Sequence, residues 1–350
     1  MATGLVYDDI FLEHGEPWHV ENRRRLEAVV ARLQGGGLWD RLEPLDIQPA
    51  SENQLLWLHD EDYLEELQFI SQRGGGQLDA DTVANWATWA AATTAAGSCM
   101  AAVQDLLEGG VDNALCLVRP PGHHARRSGA MGFCFLNNVA LAAEAALRHS
   151  LQRVAIIDFD IHHGNGTQEM FYHRGDVLYA SIHQEGIYPG TGSLDEVGVD
   201  AGTARTLNLP LPGRAQDRHY LRALDEVVLP LMRRHQPELI LVSAGYDGHH
   251  SDRAAWLAQH ELTTDVYHAM TVRLRELAEE LCGGRLLVCL EGGYELAALA
   301  HGVENTALAL LGEPLAEPDP STPSVHPDAT ARVDEYLEAA IEVHRTRLEL

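Results

Sequence analysis

Residues 154–168 read VAIIDFDIHHGNGTQ. An unbroken apolar run, Val154–Ile157, ends on a carboxylate, and a glycine-punctuated turn dense in Asp, His and Asn follows at once. Such a run, closed by turn residues, is what a β-strand covered on both faces looks like. The pattern recurs along the chain. Ala114–Val118 (ALCLV) leads into Arg119–Ala125 (RPPGHHA), Leu239–Ser243 (LILVS) into Ser243–Asp252 (SAGYDGHHSD), and Leu286–Leu290 (LLVCL) into Leu290–Tyr294 (LEGGY). Val177–Ile182 (VLYASI) is a fifth strand. Helical segments rich in Ala, Leu and Glu lie between or beside these runs: Ala87–Glu108, Asn137–His149, Arg218–His235, Thr263–Leu281 and Leu296–Leu311. That alternation predicts an α/β fold, a mainly parallel sheet with helices on both faces. Ligands of such sheets bind beyond the carboxyl ends of the strands, where the polar motifs fall.

The rest of the chain sets bounds. Its 350 residues carry a formal charge of −27, and all 25 of its basic residues are arginine. An acidic surface disfavours nucleic acid as a direct partner and mildly favours cationic substrates. No apolar stretch is long enough to span a membrane and the N-terminus lacks a secretory pattern, so a cytoplasmic location is expected. The five cysteines form no CxxC pair, which argues against a disulfide framework and a thiolate metal site. Cys134, in a glycine-rich turn, is the one to watch. The proline-rich stretch 313–330 reads as a surface linker before a C-terminal amphipathic helix at 331–348, suited to packing on the same domain or to contact within a homo-oligomer.

On extended backbone Asp158, Asp160 and His162 project to one side. Two carboxylates and an imidazole so spaced can ligate one cation, with the third group behind it. Asp and His without thiolate suit Zn²⁺ or Fe²⁺. His123 and His124, turned by two prolines and a glycine, are the natural proton carriers beside a metal, since imidazole titrates near neutrality. Asp158 and Asn165 are candidate partners that fix their tautomers. Tyr294, after two glycines at a strand end, can donate to a developing oxyanion. His163, His249 and His250 read as satisfied or surface histidines, and His183 is open.

Taken together, RPPGHHA, GFCFLNNVA (Gly132–Ala140), DFDIHHGNGTQ, SIHQEGIYPGTG (Ser181–Gly192), NLPLP (Asn208–Pro212), SAGYDGHHSD and LEGGY stand in the order and spacing of histone deacetylase-like proteins. The resemblance runs from about Leu5 to Leu310, and the asparagine at 165 is typical of the class II and bacterial amidohydrolase branch. It implies a single arginase/deacetylase-like catalytic domain over residues 1–312. It implies a metal, zinc or alternatively iron, held by Asp160, His162 and Asp252. His124 would be the main proton-transfer residue, His123 its electrostatic neighbour paired with Asp158, and Tyr294 the carbonyl-polarising group. Gly132, Phe133 and Tyr188 would flank a tunnel for an aliphatic stem. A structural potassium ion would lie near Asp158, Asp160, His162 and Ser181. The implied activity is metal-dependent hydrolysis of an acylated amine, of acyl-lysine or acyl-polyamine type. A non-catalytic acyl-amine binding module is the rival of another class. The chain departs from the family after Asp252, where RAAWLAQHE precedes Leu262, so Arg253 and Trp256 would reshape the pocket mouth.

Overall fold

The computed structural model describes residues 2–253, 257–324 and 326–348, so Trp256 lies outside the described residues. Among the described residues there are ten strands: β1 (Thr3–Val6), β2 (Glu43–Pro44), β3 (Gly75–Gln77), β4 (Val83–Asn85), β5 (Asn113–Cys116), β6 (Val154–Asp158), β7 (Val177–Gln184), β8 (Thr206–Leu211), β9 (Ile240–Ala244) and β10 (Leu286–Leu290). Eight form one sheet in the order β2-β1-β5-β10-β9-β6-β7-β8, every neighbouring pair parallel, while β3 and β4 make a separate antiparallel ribbon. Every residue of β5 to β10 is buried, inward and outward alike, so helices cover both faces. The helix Thr88–Glu108 packs on Asn138–His149. Leu296–Leu310 packs on both Arg24–Gly35 and Thr264–Cys282. Among the described residues no helix is long and apolar enough to cross a membrane.

Two departures from the sequence reading have local causes. The edge strand β8 was not among the expected strands because Pro210 interrupts its apolar run, and an edge position tolerates a missing donor. The expected helix at 218–235 starts at Asp217 but widens into a π turn at Leu224–Val228, just before Pro230, which has no N–H to give to the preceding turn. The C-terminal helix, Pro327–Leu348, lays Val333, Leu337, Ala340 and Ile341 against the domain beside β8. His344 Nε2 donates to the Asn208 carbonyl at 2.8 Å, and Arg218 pairs with Asp334 at 2.6 Å. The helix thereby covers the free edge of the sheet.

A buried charge cluster locks the N-terminal segment to the sheet. The Glu21 carboxylate takes hydrogen bonds from Arg25 at 2.9 Å and from Arg119 at 2.7 Å, and all three side chains are buried. Arg119 also reaches the Phe11 carbonyl, while Arg25 reaches those of Glu291 and Gly293 at the end of β10. Burial alone would raise the Glu21 carboxyl, but the two guanidinium groups outweigh it and hold it far below its ordinary range. Glu21→Gln would leave two buried cations without their counter-ion and should cost about 3–5 kcal/mol in urea unfolding at neutral pH. Because the native carboxyl is depressed, this contribution is present above the ordinary carboxylate range and fades as pH falls below it. The gap between wild type and Glu21→Gln should therefore narrow in acid.

Candidate active site

The four polar motifs converge because β5, β10, β9 and β6 are neighbours in the sheet, so the loops that leave their carboxyl ends stand side by side. β5 and β6, consecutive in the centre of the chain, are kept apart by β9 and β10, which leaves a crevice at this edge.

Strand β6 stops at Asp158, earlier than an extended run to His162 would require, and the chain bends. The bend folds Asp160 back on His162: its Oδ1 accepts the His162 backbone N–H at 2.9 Å and lies 3.1 Å from His162 Nδ1. The second carboxylate at this nitrogen is Asp247, from the loop after β9, with Oδ2 3.1 Å away. Ligand atoms of Asp160, His162 and Asp247 all lie within 4.8 Å of one another. Asp252, the ligand expected from the sequence, is placed differently. Its Oδ2 accepts the backbone N–H groups of Tyr294 at 2.6 Å and Glu295 at 2.9 Å, so it holds the Tyr294 turn, and it stands outside the gathered group.

The three gathered residues fit a divalent cation. Burial alone would lower His162, yet hydrogen bonds and charge from Asp160 and Asp247 hold its imidazole up to about 10. Two buried carboxylates thus demand a positive charge between them. Asp247 Oδ2 is buried and makes no hydrogen bond of good geometry, although it sits close to His162 Nδ1. Gly292 makes the cradle possible. Its N–H donates to Asp160 Oδ2 at 2.9 Å, and a Cβ there would stand 2.4 Å from Asp247 Oδ2.

The histidine pair sits beside this group, with ring centroids 4.0 Å apart. His123 Nδ1 lies 3.0 Å from Asp158 Oδ2, which also accepts the Tyr179 hydroxyl at 3.0 Å. Burial would lower His123, but Asp158, Asp160 and Glu291 hold it up to about 10. His124 Nδ1 lies 2.8 Å from the neutral Asn165 Oδ1. Burial, then the charges of His123 and His162, hold His124 well below the ordinary histidine range. With Asn165 accepting at Nδ1, the His124 proton resides there and Nε2 is the ring's basic nitrogen.

Both histidines, His162 and Tyr294 line a cavity of about 250 Å³. Gly132 and Phe133 turn through left-handed backbone, φ 54° and 68°, and bring the Phe133 ring edge-on to Tyr294 with centroids 5.8 Å apart. Tyr188 stands edge-on to His124 at 5.1 Å. Burial holds the Tyr294 phenol well above its ordinary range, so it stays protonated and able to donate. The Arg25 guanidinium lies 5.1 Å from the centre of its ring.

The other expected residues sort clearly. Cys134 lines the cavity wall but is fully buried, with its thiol pushed well up by burial. Asp158 and Ser181 face each other in register across β6 and β7, but the Ser181 hydroxyl is engaged with His183 Nδ1 at 2.8 Å. His183 is closed off at its other nitrogen by the Gly192 carbonyl, and His163 by Thr191 and Gln168. His249 and His250 tether the proline-rich segment through Asp319 and Ser321. The Ser251 N–H points at His249 Nδ1, which leaves the proton on the nitrogen facing Asp319 and suits a tether rather than a metal ligand. Arg253 is exposed, and Leu257, further along the unusual segment, reaches the cavity. Sequence reasoning counted the carboxylates of the Asp247–Asp252 loop toward a metal site without singling out Asp247, and gave no role to Glu291, Arg25 or Asp81, which also lines the cavity. The available signal for Glu291 was a charged residue placed directly after an apolar strand, and for Asp247 a carboxylate in the turn after β9.

Comparison with known proteins identifies the family and the fold. The histone deacetylase domain matches residues 19–310. The histone deacetylase-like amidohydrolase of Pseudomonas aeruginosa is 43% identical over 79% of this chain and 72% of its own length. A probable deacetylase of Archaeoglobus fulgidus is 38% identical, over 85% of this chain and 82% of its own. The crystal structure of the HDA15 HD domain superposes with a TM-score of 0.88 at 36% identity, covering 99% of this chain and 96% of that one. An all-parallel sheet of the same shape, joined to sequence identity across most of both chains, shows that this protein belongs to the histone deacetylase family.

Proposed function

We propose that the protein hydrolyses the amide of an acylated amine, of acyl-lysine or acyl-polyamine type, with a divalent metal held by Asp160, His162 and Asp247. The carrying observation is the convergence of that ligand group with a neutral histidine and a protonated tyrosine on one cavity wall. The family relatives named as deacetylases and an amidohydrolase support it. A zinc or ferrous ion there would supply Lewis acidity toward the amide carbonyl and would acidify a water. A potassium ion near Asp158 and Ser181 would be structural.

The chain's own groups divide the work. His124 accepts the proton of the attacking water at Nε2, while Asn165 keeps the other nitrogen protonated and the ring oriented. His123, held charged by Asp158, favours the negative charge that develops on the carbonyl oxygen. Tyr294 donates its hydroxyl to the same oxygen, and a histidine returns a proton to the departing amine. Phe133 and Tyr188 fit an unbranched aliphatic stem and keep bulk water from the reacting amide. Asp81 at the cavity wall and the charge of −27 favour a cationic amine. Five free, buried cysteines accord with a reducing compartment, so cytoplasmic residence stays part of this reading.

The test is turnover of an acetyl-lysine peptide and acetylated polyamines by protein loaded with Zn²⁺ or Fe²⁺. Tyr294→Phe should lower kcat by on the order of 10²–10³ with metal content unchanged. His124→Ala should lower it by about 10²–10⁴. Tight binding of these amides without turnover would instead favour the binding-module reading.

Metal analysis separates the two aspartates of the β9 loop. Asp247→Asn should cut bound metal to well below one equivalent per chain, about a 10-fold loss of affinity or more. Asp252→Asn, whose amide oxygen can still accept the Tyr294 and Glu295 N–H groups, should retain metal. The reverse result would restore Asp252 as the ligand.

A further inference from the structure

Glu291 is wholly buried at the end of β10 and does not line the cavity. Its Oε2 accepts two consecutive backbone N–H groups, Gly122 at 2.6 Å and His123 at 3.1 Å. Its Oε1 accepts the Ser243 hydroxyl at 3.0 Å. One carboxylate thereby joins the segments at the ends of β5, β9 and β10. We infer that Glu291 is a positioning residue, which acts through the Gly122–His123 backbone to place the His123–His124 pair.

The surroundings of that backbone leave it no other anchor on this side. Gly122 lies so close to the start of the helix Asn138–His149 that a Cβ would stand 2.6 Å from the Asn138 nitrogen. The His123 carbonyl is held by the N–H groups of Gly166 at 3.1 Å and Thr167 at 3.2 Å. His123 is therefore gripped at its carbonyl by one loop and at its N–H by Glu291. Without the carboxylate, two adjacent buried donors would lose their acceptor. A residue serving only to fill space would be apolar, because burying a carboxylate is unfavourable. Burial indeed pushes Glu291 up to about 7. Two parallel N–H groups need an acceptor with two lone pairs aimed the same way, which Glu or Gln supplies and Ala or Leu does not.

The inference rests on the deacylase reading, and the experiment distinguishes the two. Full-length, metal-loaded Glu291→Ala and Glu291→Gln would be compared with wild type for kcat, KM, metal content and amide hydrogen exchange over residues 119–125. Glutamine can place its oxygen on the two N–H groups and its amino group on Ser243 Oγ. Glu291→Ala should lose on the order of 10² in kcat with KM within about threefold, since a small misplacement of proton-transfer groups acts on the chemical step. Its Gly122 and His123 amides should exchange faster, and its metal content should match wild type. Glu291→Gln should restore both kcat and protection. Wild-type kcat and protection in Glu291→Ala would overturn the inference, as would a glutamine variant as impaired as the alanine one, which would assign the effect to charge. If the wild-type protein turned over no acylated amine, the deacylase reading would fall, and exchange at Gly122 and His123 would still decide whether Glu291 holds that peptide.

Discussion

The structure is organised around negative charge buried where an apolar sheet ends. Asp158, Asp160, Asp247 and Glu291 all lie at the carboxyl ends of the central strands, and none is more than 1% exposed. Unpaired, each would be strongly unfavourable in such surroundings. Each is paired with something different. Asp158 has an imidazole and a phenol, Glu291 has two peptide N–H groups and a hydroxyl, and Asp160 and Asp247 share His162. Of these, only the last sets two carboxylates 3.1 Å from one ring nitrogen, whereas His123 has Asp158 at 3.0 Å from Nδ1 and Asp160 at 3.9 Å from Nε2. That imbalance is what makes this point, and not its neighbours, suited to a cation.

The parallel sheet supplies the rigidity this requires. In register, Asp158 stands opposite Ser243 on β9 and Ser181 on β7, so the polar groups begin where ladder pairing ends. Beyond that line the backbone is held by side chains, and several of these belong to residues far away in sequence. Arg25 grips the carbonyls of Glu291 and Gly293, and through Glu21 it is tied to Arg119, the first residue of the histidine loop. The N-terminal helix therefore braces both the tyrosine turn and the histidine turn by one ionic cluster. A substitution in that helix would reach the site without touching it.

Much of this was legible in the sequence, and the misses follow one rule. The buried central strands β5, β6, β7, β9 and β10 announce themselves by unbroken apolar runs, whereas β1 is short and β8 contains Pro210. The strand-end motifs fall together at one sheet edge, where Asp160, His162, His123, His124, Phe133 and Tyr294 lie close to one another. Spacing could not separate Asp247 from Asp252, because both lie in one loop and their difference is three-dimensional. Asp247 turns toward His162, while Asp252 turns back to the N–H groups after Gly293. The strand ends at Asp158 as its apolar run suggests, but the one-sided projection of Asp158, Asp160 and His162 assumed extended backbone, and the chain bends instead. In the bend Asp160 can meet both His162 and Gly292, which a straight strand would not permit.

The two adjacent histidines illustrate how partners, and not residue type, set chemistry. Both rings are buried and nearly touching, so they cannot both carry charge without mutual repulsion. The conflict is resolved by what faces each Nδ1. A carboxylate at His123 favours the imidazolium, and a neutral amide at His124 fixes a tautomer without paying back the loss of hydration. The charged member then suppresses protonation of its neighbour, which reinforces the division. An aspartate at position 165 would weaken it, since both rings would gain a counter-charge. The asparagine therefore does more than orient a ring. It keeps the basic nitrogen of His124 available at the pH where its partner is already charged.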